Sequence, residues 1–228
     1  MVVGKKQVIK KSRVVEKPRK KTVKKEKKQE RKLFPLKLFG KWSSEVPSSD
    51  IGMKPYINLD PYFLPRSAGR YRNPFHKSRS HIVERLSQHL VVAGHQGKRH
   101  KLTSGVLGGH MYNSLKVVEK ALDIVEQREK KNPVETLVKA IETAALREEI
   151  ISFQVGSVMA REAVVTSPQR RVDKTLRFLA QGAYRKSFNK KTTIAQALAD
   201  EIIASAAGKE SFAVREKERI EREAAGSR

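Results

Sequence analysis

The chain has 228 residues, 38% of them hydrophobic, enough for one core of ordinary size. Its 49 Lys and Arg against 24 Asp and Glu leave a net charge of +25, with a pI near 10.4, which points to a polyanionic partner, nucleic acid first. The absence of cysteine excludes disulfides, thiolate zinc sites and a cysteine nucleophile, and no apolar run is long enough to span a bilayer.

Residues 1–32 hold 15 basic and three acidic side chains with no apolar periodicity, so about half of the net charge sits in a segment expected to be a disordered basic extension. The start lacks the apolar region of a secretory signal, which favours a soluble intracellular protein. Since the remainder is still strongly cationic, the folded part is itself expected to bind a polyanion.

Residues 33–78 are rich in Pro, Gly, Ser and aromatic residues without a sustained period. They read as an extended, mostly irregular segment lying on a surface rather than packing as an element. Residues 79–228 carry helical patterns and make up the expected binding domain. A first helix buries Val83, Leu86, Leu90 and Ala93 and ends near Gly94. A loop of interleaved Gly and basic residues follows over 94–110. A second helix spans about 111–129 on Leu115, Val118, Leu122 and Val125. A third opens at Asn132 with Pro133 at its first position and Glu135 completing a capping box, and buries Val134, Leu137, Val138 and Ile141.

The period then changes to two. "IISFQV" and "VMAREAVV" flank Gly156-Ser157, a pair suited to a type II′ turn, so a β-hairpin is expected at about 150–165. Ser167 and Pro168 start the next helix. Its Val172, Leu176, Leu179 and Ala183 form a packing stripe opposite Arg170, Lys174, Arg177, Gln181 and Arg185. Thr193 and Gln196 form another capping box for a helix running to Gly208, and a last helix spans 211–225. The expected fold is mainly α: a compact helical bundle with one projecting β-hairpin arm and the disordered N-terminal extension.

The polar side of the helix at 167–186 holds six bases, Arg170, Arg171, Lys174, Arg177, Arg185 and Lys186, against the one acid Asp173, and Lys190 and Lys191 extend it. The last helix, in contrast, interleaves both signs, the pattern of a face that water solvates. Phosphate contact is therefore the stronger reading for the first of these two helices. Lys98, Arg99, His100 and Lys101, beside flexible glycines, suit either a phosphate-binding loop or an ordinary exposed one; the P-loop spacing is absent. In the hairpin, Phe153, Met159 and Arg161 could present an apolar and cationic tip to bases, or Phe153 and Val155 could pack on the domain. The six histidines lack a convergent ligand set, and no nucleophile elbow, H-E-x-x-H or paired-acid motif appears. No metal, no cofactor and no enzymatic activity are expected. A helical DNA-binding or architectural chromatin protein stands as the alternative.

The motifs "GKW", "AGRY", "HIVERL", the "GKR" loop, "NPVETLVKAIETA", "REE", "SPQRRVDKTLR", "ALADEIIASAAG" and "SFAVREKERIEREAAGSR" occur in one order along the chain. In order and spacing, over about residues 36–228, they resemble the universal small-subunit ribosomal protein seven family in its archaeal and eukaryotic form. The resemblance implies a structural constituent of the small ribosomal subunit that binds the 3′ major domain of its rRNA and organises assembly of the head beside neighbouring ribosomal proteins. It also implies that the hairpin, with Phe153, Gly156, Ser157, Met159 and Arg161, lies near exit-site tRNA and mRNA. The implied rRNA-binding set adds Arg70 and Arg72, and the "GKR" loop residues Gly97, Lys98 and Arg99, to the basic residues above. Neither a membrane nor a small-molecule substrate is implied. The location implied is the cytoplasmic ribosome, assembled through the nucleolus if the source is eukaryotic, as the Lys-rich extension suggests. The chain departs from the pattern in a longer connection at 101–115, and at Leu146 and Thr166, neither of which is expected to touch the basic face.

Overall fold

A computed structural model describes residues 36–67, 71–92, 94 and 107–227. Within them lie six helices: α1 (Ile82–Val91), α2 (Met111–Glu129), α3 (Pro133–Ala144), α4 (Pro168–Ser187), α5 (Ile194–Ala206) and α6 (Phe212–Ala225). A hairpin of β1 (Glu148–Val155) and β2 (Val158–Val165) stands between α3 and α4. The expected basic extension and most of the loop after α1 fall outside the described residues. None of the helices described is long and apolar enough to cross a membrane.

The bundle is organised around α5, which packs against α2, α3 and α4, while α1 lies on α2 and α4. Small residues make this possible: Ala195, Ala197 and Ala199 are buried beside Leu198 and Ile202, letting neighbouring backbones approach closely. The expected stripes are the ones that pack. Leu86, Leu90, Val118, Leu122, Leu137, Ile141, Val172, Leu176, Leu179 and Ala183 are all buried in one cluster.

Local chemistry sets most of the helix ends. The Asn132 side chain accepts from Val134 N at 3.0 Å, with Pro133 following. Thr193 and Gln196 close the expected box, Oγ1 accepting from Gln196 N at 3.3 Å and Oε1 from Thr193 N at 3.2 Å. After α5, Gly208 adopts φ +65°, and the N–H groups of Gly208 and Lys209 donate to Ser205 and Ala204 carbonyls, a Schellman closure that a left-handed glycine permits. Three ends differ from expectation. Asn132 takes its bond from Val134 N and no box with Glu135 closes the start of α3. Ser167 occupies the N-cap position of α4 without a side-chain bond, so Pro168 alone defines that start. α1 ends at Val91 with Val92 as its cap, two residues before Gly94.

The segment before α1 corrects the sequence reading more substantially. It contains two 3₁₀ turns, Lys54–Tyr56 and His76–Arg79, yet it does not merely lie on the surface. Leu38, Trp42, Met53 and Ile57 enter the core, each a single large side chain without a periodic neighbour, which is why no pattern announced them. The Trp42 indole N–H donates to Glu126 Oε2 at 2.9 Å, satisfying its one polar group. Glu142 of α3 accepts from Ser48, Ser49 and Asp50, so the segment is strapped across α2 and α3.

In the hairpin, Ile150 pairs with Ala163, Phe153 with Ala160 and Val155 with Val158 across Gly156-Ser157. Gly156 takes φ +62° and Ser157 does not take a positive φ, as a II′ turn requires. The base of the arm packs against α6, while Phe153, Val155, Val158 and Met159 are all exposed at its far end. The option that Phe153 and Val155 pack on the domain is therefore set aside. Where the base meets α6, Arg147 N donates to Glu221 at 2.9 Å and Lys217 donates to the Thr143 carbonyl at 2.8 Å. These two α6 charges are structural, which corrects their reading as simply solvated.

The tightest junction joins α4, α5 and α6. A Cβ on Gly182 would lie 2.8 Å from Phe212 Cβ and 2.9 Å from Glu201 Cδ, closer than packed atoms approach. Gly182→Ala is expected to destabilise the fold by about 1–3 kcal/mol through overpacking, seen as a lower urea midpoint at unchanged m-value.

Candidate nucleic-acid interface

Because Val172, Leu176, Leu179 and Ala183 hold α4 by one stripe, the opposite side of its first half is fixed in orientation. Arg170, Lys174 and Arg177 follow one another there at helical spacing. A fourth cation joins them from 96 residues away: Lys77, on the second 3₁₀ turn, bonds Asp173. Together with Ser167, Gln169 and Asp173 these residues line a depression of about 280 Å³.

The cations are not equivalent. Arg170 is gripped bidentately by Glu149 of β1, one arm of the fork at 2.8 Å, which raises its already high pKa. Arg171 turns inward, its Nε donating to the Thr166 carbonyl at 2.9 Å. Thr166 thus touches a member of the basic set after all, though through its backbone. Lys174 and Arg177 form no hydrogen bond or ion pair with other described residues. Burial, then the positive charges of Arg170 and Arg177, pushes the Lys174 pKa down. Burial contributes most to that shift, and the neighbouring Glu149 opposes it.

Asp173 is the exception on this face. Its carboxylate takes a 2.8 Å bond from Arg85, a side chain only 2% exposed, as well as the bond from Lys77. Burial alone would raise its pKa, but these two donors outweigh it and hold the carboxyl below its usual value.

The second half of α4 is organised differently. Gln181, expected on the cationic side, is buried, so the row of charges is interrupted there. The helix passes between α5 and α6 at this point and has no free side. Beyond it, the Arg185 guanidinium lies 4.5 Å from the centre of the Phe212 ring, with Arg215 5.8 Å from the same ring. Lys186 reaches the fully buried Glu201 at 2.6 Å, and Lys190 and Lys191 are exposed in the turn that follows. Arg72 is also exposed. Arg70, Lys98, Arg99, His100 and Lys101 lie outside the described residues. Arg161 is exposed on the hairpin, as are Gly156 and Ser157 at its turn.

Sequence reasoning missed Lys77, Arg85 and Glu149 as parts of this site, since each comes from another element. Among the described residues no group of three or more His, Cys, Asp or Glu side chains could hold a metal ion. Burial lowers the pKa of both His81 and His89 to about 4, leaving them neutral at physiological pH.

The chain is thus a helical protein that presents a cationic helix face, held by a bundle, together with an exposed two-stranded arm. The model of the family described as "Ribosomal protein S7p/S5e" matches residues 54–228. The chain is 42% identical over 196 residues to the small ribosomal subunit protein uS7 of Nanoarchaeum equitans, covering 85% of this chain and 99% of that one. It is 43% identical over 196 residues to the protein of the same name from Archaeoglobus fulgidus, covering 85% and 95%. The corresponding protein of Methanothrix thermoacetophila is 41% identical over 196 residues, covering 85% and 100%. The chain belongs to the S7p/S5e family of ribosomal proteins.

The charges give stability a two-stage acid dependence. As pH falls from about 6.5 towards about 4, the unfolded chain binds protons on histidine that buried His81 and His89 refuse, so stability falls. Below the ordinary aspartate pKa a second loss begins, because Asp173, paired in the folded state, binds its proton less readily there than in the unfolded chain. Urea midpoints measured against pH should show both limbs, with the upper one reduced in His89→Gln and the lower one reduced in Asp173→Asn.

Proposed function

We propose that this chain is a structural constituent of the small ribosomal subunit, binding folded rRNA of the 3′ major domain without catalysis. The observation that carries the reading is the cluster of Arg170, Lys174 and Arg177, on a helix whose other face is locked into the core, with Lys77 from the preceding 3₁₀ turn. Phosphate groups fit such a surface because fixed cations need little reorganisation to meet them. The relatives' name, small ribosomal subunit protein, supports the same location.

In this proposal residues 79–228 form the rRNA-binding domain, 33–78 an irregular segment and 1–32 a basic extension. The Lys98–Lys101 loop, Arg70, Arg72, Arg185, Lys186, Lys190 and Lys191 contribute further rRNA contacts. The domain organises the subunit head together with neighbouring ribosomal proteins. The hairpin, with its exposed Phe153, Met159 and Arg161, serves near exit-site tRNA and mRNA. The site of action is the cytoplasmic ribosome, reached through nucleolar assembly if the source is eukaryotic. A tagged chain should sediment with small subunits in an RNase-sensitive manner; recovery only with chromatin would overturn the proposal in favour of a DNA-binding role.

The pairings select the residues to change. Lys174→Ala with Arg177→Ala should weaken binding to a 3′ major domain transcript and flatten its log–log salt dependence by about 0.7–0.9 for each phosphate that is no longer neutralised. Arg219→Ala, which removes a cation already bonded to Glu216 and Glu223, should leave the slope unchanged. Equal slopes for all three proteins would return the α4 face to a merely solvated surface.

A further inference from the structure

The same 3₁₀ turn that sends Lys77 to the α4 face also borders a separate cavity of about 430 Å³, at the start of α1. Tyr62, Tyr71, His81 and Glu84 line it, with the exposed Arg66 and Arg79. Its volume lies within the roughly 300–1,000 Å³ typical of small-ligand sites.

His81 supplies the most specific feature. It is 1% exposed, and its Nδ1 accepts from Val83 N at 3.2 Å as the cap of α1. With Nδ1 accepting and the ring neutral, the proton sits on Nε2. That N–H is buried and has no hydrogen-bond partner among the described residues, a condition that native structures rarely tolerate without an occupant. The Tyr62 ring stands edge-on to His81, their centres 6.4 Å apart, and is itself 45% exposed.

Glu84 provides the complementary group. Only 3% exposed, it accepts from Ser67 N and Oγ through Oε1 at 2.8 and 2.6 Å, while Oε2 takes no hydrogen bond from other described residues. Tyr71 is held in place through its hydroxyl by Ser80 and by Gln88, the latter at 2.8 Å. The cavity therefore offers ring surfaces, one buried donor and one buried acceptor, and its two arginines suit an anionic group outside it.

We infer that this cavity receives a single unstacked nucleobase of the bound RNA. The base lies against Tyr62 and Tyr71, its edge accepts from His81 Nε2–H and donates to Glu84, and its phosphate meets Arg66 or Arg79. Splayed-out bases are recognised in this way, by stacking on aromatic rings and hydrogen bonding at an edge. The inference rests on the RNA-binding reading above. Continuity supports it: Lys77 and Arg79 lie on one turn, so a strand with phosphates on the α4 depression passes the mouth of the cavity. A free nucleotide fits less well, because two exposed arginines form no cradle for an isolated phosphate chain.

The test uses the full chain bound to a 3′ major domain transcript, with base-specific chemical probing of the RNA. One base is expected to change reactivity on binding, and to regain its free reactivity with Tyr62→Ala, a change at an exposed position that leaves the core intact. Tyr62→Ala should weaken binding roughly 5- to 150-fold, as removal of one stacking ring does, with no change in salt slope because no charge is removed. Glu84→Gln should likewise abolish the protection of that base. A stable complex whose base reactivities are the same with wild type and both variants would overturn this inference while sparing the RNA-binding reading. Competition by free nucleoside monophosphates at millimolar concentration, with no change at any base, would overturn it in favour of a nucleotide site. Failure of the wild-type chain to bind the transcript at all would overturn both.

Discussion

The contact between Asp173 and Arg85 ties the fold to the cationic face of α4. Arg85 is almost wholly buried, and a guanidinium in that position requires a fixed counter-charge, since an unpaired buried cation costs about 3–5 kcal/mol. Asp173 provides it from α4 and has one oxygen left for Lys77. A single carboxylate therefore sets the rotation of α4 against α1 and draws the preceding 3₁₀ turn onto the same surface. Were the acid absent, neither the buried arginine nor the position of Lys77 beside Arg177 would follow. The one negative charge on the polar side of this half-helix is thus what assembles the positive ones.

A comparable arrangement closes the other end of α4. Glu201, fully buried on α5, accepts from Phe212 N at 3.0 Å and pairs with Lys186. Gly182 provides the space for both the carboxylate and the Phe212 side chain. Phe212, held there, becomes the ring on which Arg185 and Arg215 rest. At both ends an acid that is paired with, or is itself, a buried charge converts an internal packing requirement into a defined position for surface cations.

Much of the architecture was legible from local chemistry. Stripes at helical spacing located the buried faces of α1 to α5, and short-range caps at Asn132, Thr193 and Gly208 marked helix ends, because these signals lie within a few residues of one another. The Gly156-Ser157 pair located the hairpin for the same reason. What escaped depended on distant parts of the chain. Leu38, Trp42, Met53 and Ile57 pack singly, with no period to reveal them. Glu149 meets Arg170 only because the strand register and the start of α4 bring them together. Gln181 falls on the polar side of a helical wheel but is covered by neighbours that no wheel includes. The sequence therefore indicated which helix is cationic, while the distinction between its occupied and unoccupied charges required the tertiary fold.

The hairpin has a consequence for the life of the protein before it meets a partner. Two strands form its sheet, so each has one edge without a neighbouring strand among the described residues, and a pair of strands by itself is marginal in water. Its outer half shows Phe153, Val155, Val158 and Met159 to solvent, an apolar edge of the kind that invites pairing with another chain. A free molecule thus carries an exposed apolar arm and a large positive charge at once. Exposed apolar edges of this kind favour self-association in solution, so the arm is the part of the described fold where chain-to-chain pairing would begin.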